Sequence, residues 1–352
     1  MSSNPTGLFA DRNCQLTADG TGLIVLDQTL LPNEERYITL RSAEEVADAI
    51  SRLCVRGAPL IGVAAALGMA VAVRHCVAEG MCLEESVRHC HSTIANARPT
   101  AVNLRWALDS MLPHATSPES LLKAALALKA SEEATFEAIA LHGSSLITPG
   151  MGILTHCNAG YLATGGSYGT ALAPIYKAHE QGKEPHVYAD ETRPLLQGAR
   201  LTAYELTRRG VRTTLICDNM AATAMAQGKV QMVLVGCDRV AANGDTANKI
   251  GTLGVAILAH HFGIPFYVCG PSSTFDPTTP TGNDIRIEQR NPEEVRSLWY
   301  RQPLAPADCH ILNPAFDVTD HDLITAIVTE RGICYPPFSE SLAALFGRKS
   351  SD

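Results

Sequence analysis

Features that mark several common classes of protein are scarce or absent in this sequence. Charged residues make up only 18% of the 352 positions and hydrophobic residues 46%, so we expect a globular chain rather than a disordered one. The net charge of −8 lacks the basic excess that nucleic-acid binding requires, and no nucleic-acid partner is predicted. A negatively charged ligand would need a local positive pocket in this acidic protein.

Long apolar runs and targeting segments are missing as well. The longest apolar stretch, residues 60–73, is too short to span a bilayer and is predicted to be a core helix, so no membrane partner is expected. Residues 1–6 are polar and show no secretory signal. The eleven cysteines are odd in number and scattered, which favours reduced thiols and a cytoplasmic protein.

Motifs for cofactors and metals are also lacking. No G-x-G-x-x-G opens a helix after a strand and no G-x-x-x-x-G-K-[ST] occurs, so no nucleotide cofactor is predicted. Histidines and cysteines cluster at residues 75–76, 82 and 89–91, but neighbouring residues on a helix point to different faces and the paired C-x-x-C spacing of zinc sites is absent. We therefore expect no metal.

The N-terminal part, residues 1–145, is predicted to form a mostly helical domain that carries a small antiparallel sheet. Residues 23–26 and 36–40 have the composition of two strands. The helices predicted to follow them span residues 42–53, 60–76, 83–97, 103–112 and 118–142.

The C-terminal part, residues 146–352, is predicted to form a Rossmann-like domain, an α/β fold with a doubly wound parallel sheet. Apolar segments alternate there with helical stretches, which is typical of this fold. The predicted strands span residues 152–156, 186–189, 212–217, 231–235 and 265–269. Nearer the end of the chain, a helix is expected over residues 319–329.

Polar or reactive groups follow four of these five strands. Because the connections of such a sheet place the carboxyl ends of its strands on one edge, the groups are expected to converge on one pocket. They are Cys157-Asn158, Asp190-Glu191-Thr192-Arg193, Asp218-Asn219 and Asp238-Arg239. Asp190 and Glu191 are expected to hold their loop together beside Arg193.

Two of these residues suit acid–base chemistry. Cys157 could shuttle protons as a thiol of adjustable pKa, or it could be a small buried filler. Asp238 follows an apolar strand and is expected to be partly desolvated, which would raise its pKa and let it donate a proton near neutral pH. Alternatively, Asp238 caps the following turn or pairs with Arg239 or Lys249.

Two segments could bind an anion. The segment that ends in Lys249 offers an acid, a cation and a helix N-terminus, a set that suits a small phosphorylated, hydroxylated molecule. At Gly57 the backbone could approach a ligand closely, with Arg56 beside the start of the next helix. The alternative for the second segment is a tight turn with a surface arginine.

The chain resembles the methylthioribose-1-phosphate isomerases over nearly its whole length. The superfamily to which these isomerases belong also includes regulatory subunits of a translation-initiation guanine-nucleotide exchange factor and ribose-1,5-bisphosphate isomerases. The segments that carry the resemblance are VRGAPLIG at 55–62, RPT at 98–100 with Asn103, HCNAG at 156–160, DETRPLLQGARLT at 190–202, DNM at 218–220, GCDRVAANGDTANK at 236–249 and NPAFD at 313–317.

The resemblance implies an aldose–ketose isomerase of methionine salvage that converts 5-methylthioribose 1-phosphate to 5-methylthioribulose 1-phosphate. It also implies a homodimer without a metal or other cofactor, with Cys157 and Asp238 as the catalytic pair. Contacts to the phosphorylated pentose are implied for Arg56, Gly57, Ala58, Arg98, Gln197, Asn248 and Lys249. Alternative activities are isomerisation of 5-deoxyribose 1-phosphate, or of both sugars. The presence of both catalytic residues argues against the remaining alternative, a non-catalytic exchange-factor-like subunit.

Overall fold

The computed structural model describes residues 13–98 and 101–347. Two compact units make up the chain: the first extends to Glu137 and also includes Ala159–Gly169, while the second contains Ala138–Asn158 and the chain from Thr170 onward. The sequence predicted one boundary after residue 145. Residues 159–169 join the first unit because buried side chains hold their backbone there, as when the side-chain amide of Gln28 donates to the Leu162 carbonyl at 2.7 Å.

The first unit contains the predicted small antiparallel sheet. Its strands lie in the order β1-β2-β3, and β1 was not predicted from the sequence. The strands are β1 (Cys14–Leu16), β2 (Leu23–Leu26) and β3 (Tyr37–Leu40). The helices that follow are α1 (Ala43–Ser51), α2 (Ala58–Ala78), α3 (Leu83–Ala95), α4 (Val102–Met111) and α5 (Pro118–Ser144), whose greater part belongs to this unit.

Helix α2 forms the centre of the first unit. It is apolar on all sides, and every residue from Leu60 to Val73 is buried. Its length and composition would allow it to cross a membrane, but 78% of its most apolar window is buried inside the protein. A helix that is hydrophobic all round and enclosed by other elements is a core helix, as predicted.

The second unit contains a seven-stranded sheet in the order β14-β13-β10-β7-β4-β5-β6. Its strands are β4 (Gly152–Thr155), β5 (His186–Asp190), β6 (Arg212–Ile216), β7 (Met232–Val235), β10 (Phe266–Cys269), β13 (Ala326–Thr329) and β14 (Gly332–Cys334). All neighbours pair in parallel except β13 and β14.

The helices of this unit are α6 (Ala173–Glu180), α7 (Ala203–Arg208), α8 (Ala221–Ala226), α9 (Thr252–His261), α10 (Glu293–Arg296) and α11 (Phe338–Gly347). The five predicted strands and the predicted fold class are confirmed.

Strand β4 lies inside this sheet, with two strands on one side and four on the other. From β4 the chain adds β5 and β6 on one side, and then it returns to add β7, β10 and β13 on the other. The strand order therefore reverses between β4 and β7. In open α/β sheets such a reversal opens a crevice beyond the carboxyl ends of the strands, where ligands bind.

The prediction of a helix over residues 319–329 is wrong. Those residues end one strand, form a short 3₁₀ turn at His321–Leu323 and then form β13. All four residues of β13 are buried, and three of them are β-branched, which favours a strand that pairs on both sides. Asp320 and Asp322 interrupt the apolar pattern and end any helical period.

A second sheet of four strands replaces the polar loop predicted between β7 and α9. Its order is β11-β8-β9-β12. Its strands are β8 (Arg239–Ala241), β9 (Thr246–Lys249), β11 (Phe275–Asp276) and β12 (Phe316–Thr319). Gly244, with φ of 97°, allows the tight turn between β8 and β9. Asn248 and Lys249 consequently lie on a strand that is paired on both sides.

Candidate active site

Cys157 and Asp238 follow adjacent strands. Strands β4 and β7 pair in parallel, with Leu154 opposite Val233. Neighbouring strands lie about 4.8 Å apart, so the chain leaves the sheet side by side at these two points. Cys157 and Asp238 thus follow the two strands between which the strand order reverses.

The backbone of Cys157 is held in an unusual conformation. Its φ is 66°, a left-handed value that costs energy in a residue with a side chain. The Cys157 N–H donates to Thr192 Oγ1 at 2.9 Å, and its carbonyl accepts from Thr202 Oγ1 at 2.6 Å. Both threonines are fully buried. The surroundings therefore fix the direction in which the partly buried thiol points.

Asp218 organises the loop after β5. Its two carboxylate oxygens accept the backbone N–H groups of Thr192 and Arg193, each at 2.7 Å. From the sequence, Asp190 and Glu191 were expected to hold this loop together beside Arg193. That expectation is wrong for Asp190. That residue bonds to a histidine instead, while the Arg193 guanidinium donates to the Val295 carbonyl at 2.8 Å.

His156 and Asp190 form a buried pair, with side chains 1% and 0% exposed. The ring Nδ1 lies 3.0 Å from Asp190 Oδ2, and Nε2 lies 2.9 Å from the Ile250 carbonyl. Burial raises the pKa of Asp190 to about 6, although His156 opposes this shift. Burial, the largest single cause, lowers the pKa of His156, but the bonds to Asp190 and Ile250 and the nearby carboxylate charges together outweigh it, and the net direction is upward. Both residues lie in segments that carry the family resemblance, but the sequence did not indicate that they pair.

Asp238 lies in a different environment from the one expected. Its side chain is exposed, so the predicted partial desolvation by the end of the strand is wrong for this chain. The reason is that Gly236 and Cys237 carry the backbone past the buried end of β7 before Asp238 is reached. Its backbone N–H donates to the Ala247 carbonyl at 2.9 Å, and Arg239 pairs with Asp276.

Asn248 and Lys249 lie at the end of β9. The Lys249 ammonium donates to the Ala315 carbonyl at 2.9 Å and lies 4.5 Å from the centre of the Phe316 ring. It also lines a narrow crevice together with Arg290 and other residues of this unit. The buried side chain of Asn248 donates to Thr252 Oγ1 at 3.0 Å. These bonds fix the positions of both side chains.

Asp317 occupies the start of α9. Its carboxylate accepts the backbone N–H groups of Gly251 at 2.7 Å and Leu253 at 3.2 Å. The helix N-terminus expected to bind an anion is thus already bonded to a carboxylate of the chain itself at these two amides. The sequence contained a signal for this role, because Asp317 ends one of the segments that carry the resemblance.

Gln197 shows a sign of ligand binding. Its side chain is only 6% exposed, and its Oε1 is buried without a hydrogen-bond partner among the described residues. Buried polar atoms nearly always have a partner, so this acceptor is suited to a ligand hydroxyl. A π-helical turn, Gly198–Thr202, follows directly, and such turns are frequent at functional sites.

The remaining predicted contacts belong to the first unit. Gly57 has a φ of 95° and precedes α2, but a Cβ there would lie 2.5 Å from the Ala163 carbonyl oxygen. Its close approach is therefore to the chain's own backbone. Arg56 and Ala58 flank it, and the Arg98 carbonyl accepts the Ala101 N–H at 3.0 Å. Positions 99 and 100 of the RPT segment lie outside the described residues.

Two groups of potential metal ligands exist among the described residues. They are His156 with Asp190 and Asp218, and Asp245 with Asp320 and His321. The histidine and cysteine cluster at residues 75–91 is neither of them, although Cys76 Sγ lies 4.0 Å from Cys90 Sγ. Each histidine in the two groups bonds directly to a carboxylate of its own group. The hydrogen bonds alone account for both arrangements.

Comparison with known proteins identifies the family. Residues 54–336 match the Initiation factor 2 subunit family. The chain belongs to this family. It is 57% identical to a methylthioribose-1-phosphate isomerase from Symbiobacterium thermophilum, with 94% of each chain covered. A 5-deoxyribose 1-phosphate isomerase from Petrotoga mobilis is 52% identical, with 92% of this chain and 96% of that protein covered.

A solved structure of the family has the same fold. The crystal structure of 5-methylthioribose 1-phosphate isomerase from Pyrococcus horikoshii OT3 has a TM-score of 0.90 and 37% identity, with 99% of both chains covered. The resemblance to methylthioribose-1-phosphate isomerases is thus confirmed. All nine predicted site residues fall within the range that matches the family.

Proposed function

We propose that this protein is an aldose–ketose isomerase that converts 5-methylthioribose 1-phosphate to 5-methylthioribulose 1-phosphate. The observation that carries the proposal is the position of Cys157 and Asp238, which follow adjacent strands where the strand order reverses. The names and high identity of the relatives support this reaction. Cys157 and Asp238 are the proposed catalytic residues.

The substrate explains the need for an acid. Its anomeric oxygen carries the phosphate, so the sugar ring cannot open to a free aldehyde without help. A proton must reach the ring oxygen as its bond to C1 breaks, and Asp238 supplies it in this proposal. Because Asp238 is exposed in the chain, the bound sugar itself would exclude water from the carboxyl group and raise its pKa.

The thiol serves the second step, in which hydrogen moves from C2 to C1. In one route the Cys157 thiolate removes the C2 proton and an enol phosphate forms. In the other it removes the proton of the C2 hydroxyl while a hydride shifts directly to C1. Both routes need a thiol held in a fixed direction, which the bonds of the Cys157 backbone provide.

The proposed substrate contacts are those that the resemblance to the family implies. Arg56 and Arg98 carry charges that suit a phosphate, as does Lys249, and Gly57 and Ala58 follow Arg56. In the second unit, Gln197 Oε1 would accept a sugar hydroxyl, as its buried and unpartnered state suggests. Asn248, next to Lys249 on β9, would contact the substrate as well.

The biological setting belongs to the same proposal. The reaction would serve methionine salvage in the cytoplasm, and the protein would act as a homodimer. The relatives named 5-deoxyribose 1-phosphate isomerase favour a second candidate function, the same chemistry on 5-deoxyribose 1-phosphate. The two sugars differ only at C5, away from the reacting carbons.

A coupled assay for ketose phosphate tests the function. Purified protein is incubated with each sugar 1-phosphate, and turnover is compared with that of the Cys157→Ser variant. We expect turnover by the wild-type protein and severe loss in the variant. Absence of product from both sugars would reject the isomerase proposal in favour of a non-catalytic exchange-factor-like subunit.

A further inference from the structure

We infer that His156 is a positioning residue that joins the Cys157 turn to the segment carrying Asn248 and Lys249. Its ring bonds to Asp190 on one side and to the Ile250 carbonyl on the other, and we call this chain of three groups the His156 bridge. The inference rests on the proposed function, because it concerns the alignment of Cys157 with the phosphate-binding lysine.

The hydrogen bonds of the bridge determine where its protons lie. A carbonyl oxygen only accepts, so the Nε2 atom that faces Ile250 must carry a proton. One further proton lies between Nδ1 and Asp190, either on an imidazolium beside a carboxylate or on a carboxylic acid beside a neutral ring. Both arrangements contain the same protons and have no net charge, so both hydrogen bonds persist in either one.

Packing leaves the ring no freedom to move. A Cβ atom at Gly251 would lie 2.8 Å from Cε1 and 2.9 Å from Nε2 of His156. On its other side this segment is fixed by the Ile250 N–H, which donates to the Ala315 carbonyl at 3.1 Å, and by the bond from Gly251 to Asp317. The segment after Lys249 is therefore clamped between His156 and β12.

The bridge also reaches the Cys157 turn by two routes, one through the covalent backbone and one through a hydrogen bond. His156 is the residue before Cys157, so a shift of its ring moves the strained backbone of the cysteine. Asp190 lies two residues before Thr192, whose Oγ1 accepts the Cys157 N–H and donates to the Asp190 carbonyl at 3.1 Å. Loss of either contact of the ring would therefore disturb a different half of the site.

Several carboxylates face the ring and sustain the bridge. Asp190 from the end of β5, Asp218 after β6 and Asp317 on β12 all act on His156, and Glu191 acts on Asp190. Burial works against a charged ring, but these acids and the Ile250 carbonyl together outweigh it and raise the pKa of His156. The acids therefore favour retention of the protons on the ring.

Two substitutions cut the bridge at different points. In His156→Asn the amide nitrogen takes roughly the place of Nδ1, so it can reach Asp190 but not Ile250. In His156→Gln it takes roughly the place of Nε2, so it can reach Ile250 but not Asp190. Steady-state kinetics with the sugar 1-phosphate, alkylation of Cys157 by iodoacetamide and thermal unfolding are measured for both variants.

The two variants should differ in which kinetic constant changes. We expect His156→Asn to raise KM about tenfold with a smaller change in kcat, because the Lys249 segment loses its clamp. We expect His156→Gln to lower kcat and slow the alkylation of Cys157, each about tenfold, with a smaller change in KM. The control is His186→Gln at the opposite end of β5, where the ring bonds to Thr214 Oγ1, and it should stay within about twofold of wild type.

The outcomes separate this inference from the proposed function. Equal changes of kcat and KM in both variants, or changes no larger than the control's, would overturn the positioning role. Failure of the wild-type protein to form ketose phosphate would overturn the function itself. If either histidine variant does not fold, Asp190→Asn tests the same link: a fall in kcat with little change in KM supports the bridge, and unchanged kinetics reject it.

Discussion

Cys157 and Asp238 end adjacent strands, yet their surroundings are opposite. The Cys157 backbone is strained and is bonded to buried threonines, with the His156–Asp190 pair beside it. Asp238 is exposed, and its backbone N–H bonds to the Ala247 carbonyl at the start of a hairpin. We propose from this difference that the thiol is aligned before substrate arrives, whereas the acid acquires its environment from the substrate.

The largest effect should come from the acid. We expect Asp238→Asn to lower kcat by ~10²–10⁴ with little change in KM, because the amide keeps the shape but cannot donate the proton. Steady-state kinetics measure this, and Asp322→Asn, which changes an exposed acid of the same unit, serves as control. A kcat near that of wild type would remove Asp238 from the mechanism.

Alkylation of Cys157 should inactivate the protein, and substrate should protect against it, since the thiolate is the reactive form. Among the other cysteines, Cys82 and Cys309 are exposed and should be labelled without loss of activity. Mass spectrometry after partial inactivation tests both points. A Cys82→Ser, Cys309→Ser double variant removes this background. Loss of activity while Cys157 remains unlabelled would contradict the assignment.

Phosphate contacts should affect binding more than turnover. We expect Arg56→Ala and Lys249→Ala each to raise KM, since a charge-assisted hydrogen bond contributes ~1.5–3 kcal/mol. Lys229→Ala, at an exposed lysine of the second unit, is the matched control and should leave KM unchanged. Unaltered KM in both test variants would place the phosphate elsewhere.

The buried pair predicts a pH dependence of stability. The folded pKa of Asp190 is about 6, above the usual value for aspartate, so between pH 4 and 6 the native state binds more protons than the unfolded state. This group's contribution to stability therefore falls as pH rises through that window. Thermal unfolding of Asp190→Asn should accordingly improve relative to wild type from pH 4 to 6. A constant difference would show that Asp190 does not titrate there.

The smallest effect is expected from chelation. No ligand set with zinc spacing occurs in the sequence, so EDTA should leave kcat and KM unchanged. Kinetics before and after dialysis against EDTA provide the test. Inhibition that added metal reverses would point to one of the two histidine–carboxylate groups in the second unit.

The main sheet could be predicted from the sequence because its strands are short apolar runs followed by polar residues. The segment at residues 319–329 misled because its apolar residues at 323, 324, 327 and 328 recur at a spacing compatible with a helix, and only pairing with β10 and β14 makes Ala326–Thr329 a strand. The exposure of Asp238 depends on the path of two residues beyond β7, which periodicity does not encode.

The sequence indicated which polar residues follow the strands of the main sheet, and so where a site could lie. The partners of those residues could not be predicted, because they depend on contacts distant in sequence. His156 meets a carbonyl 94 residues away, and Asp317 reaches Gly251 across 66 residues. Neither contact produces a local periodicity in the sequence.

The hairpin of β8 and β9 sets the backbone distance between Asp238 and Lys249. Asp238 is bonded to Ala247, and Lys249 lies two residues further along the same strand. At a rise of about 3.3 Å per residue, the backbone itself sets the span between the acid and the cation. Under the proposed function, main-chain geometry would match this span to the distance between the ring oxygen and the phosphate of the sugar, and substitution of the side chains would leave the span intact.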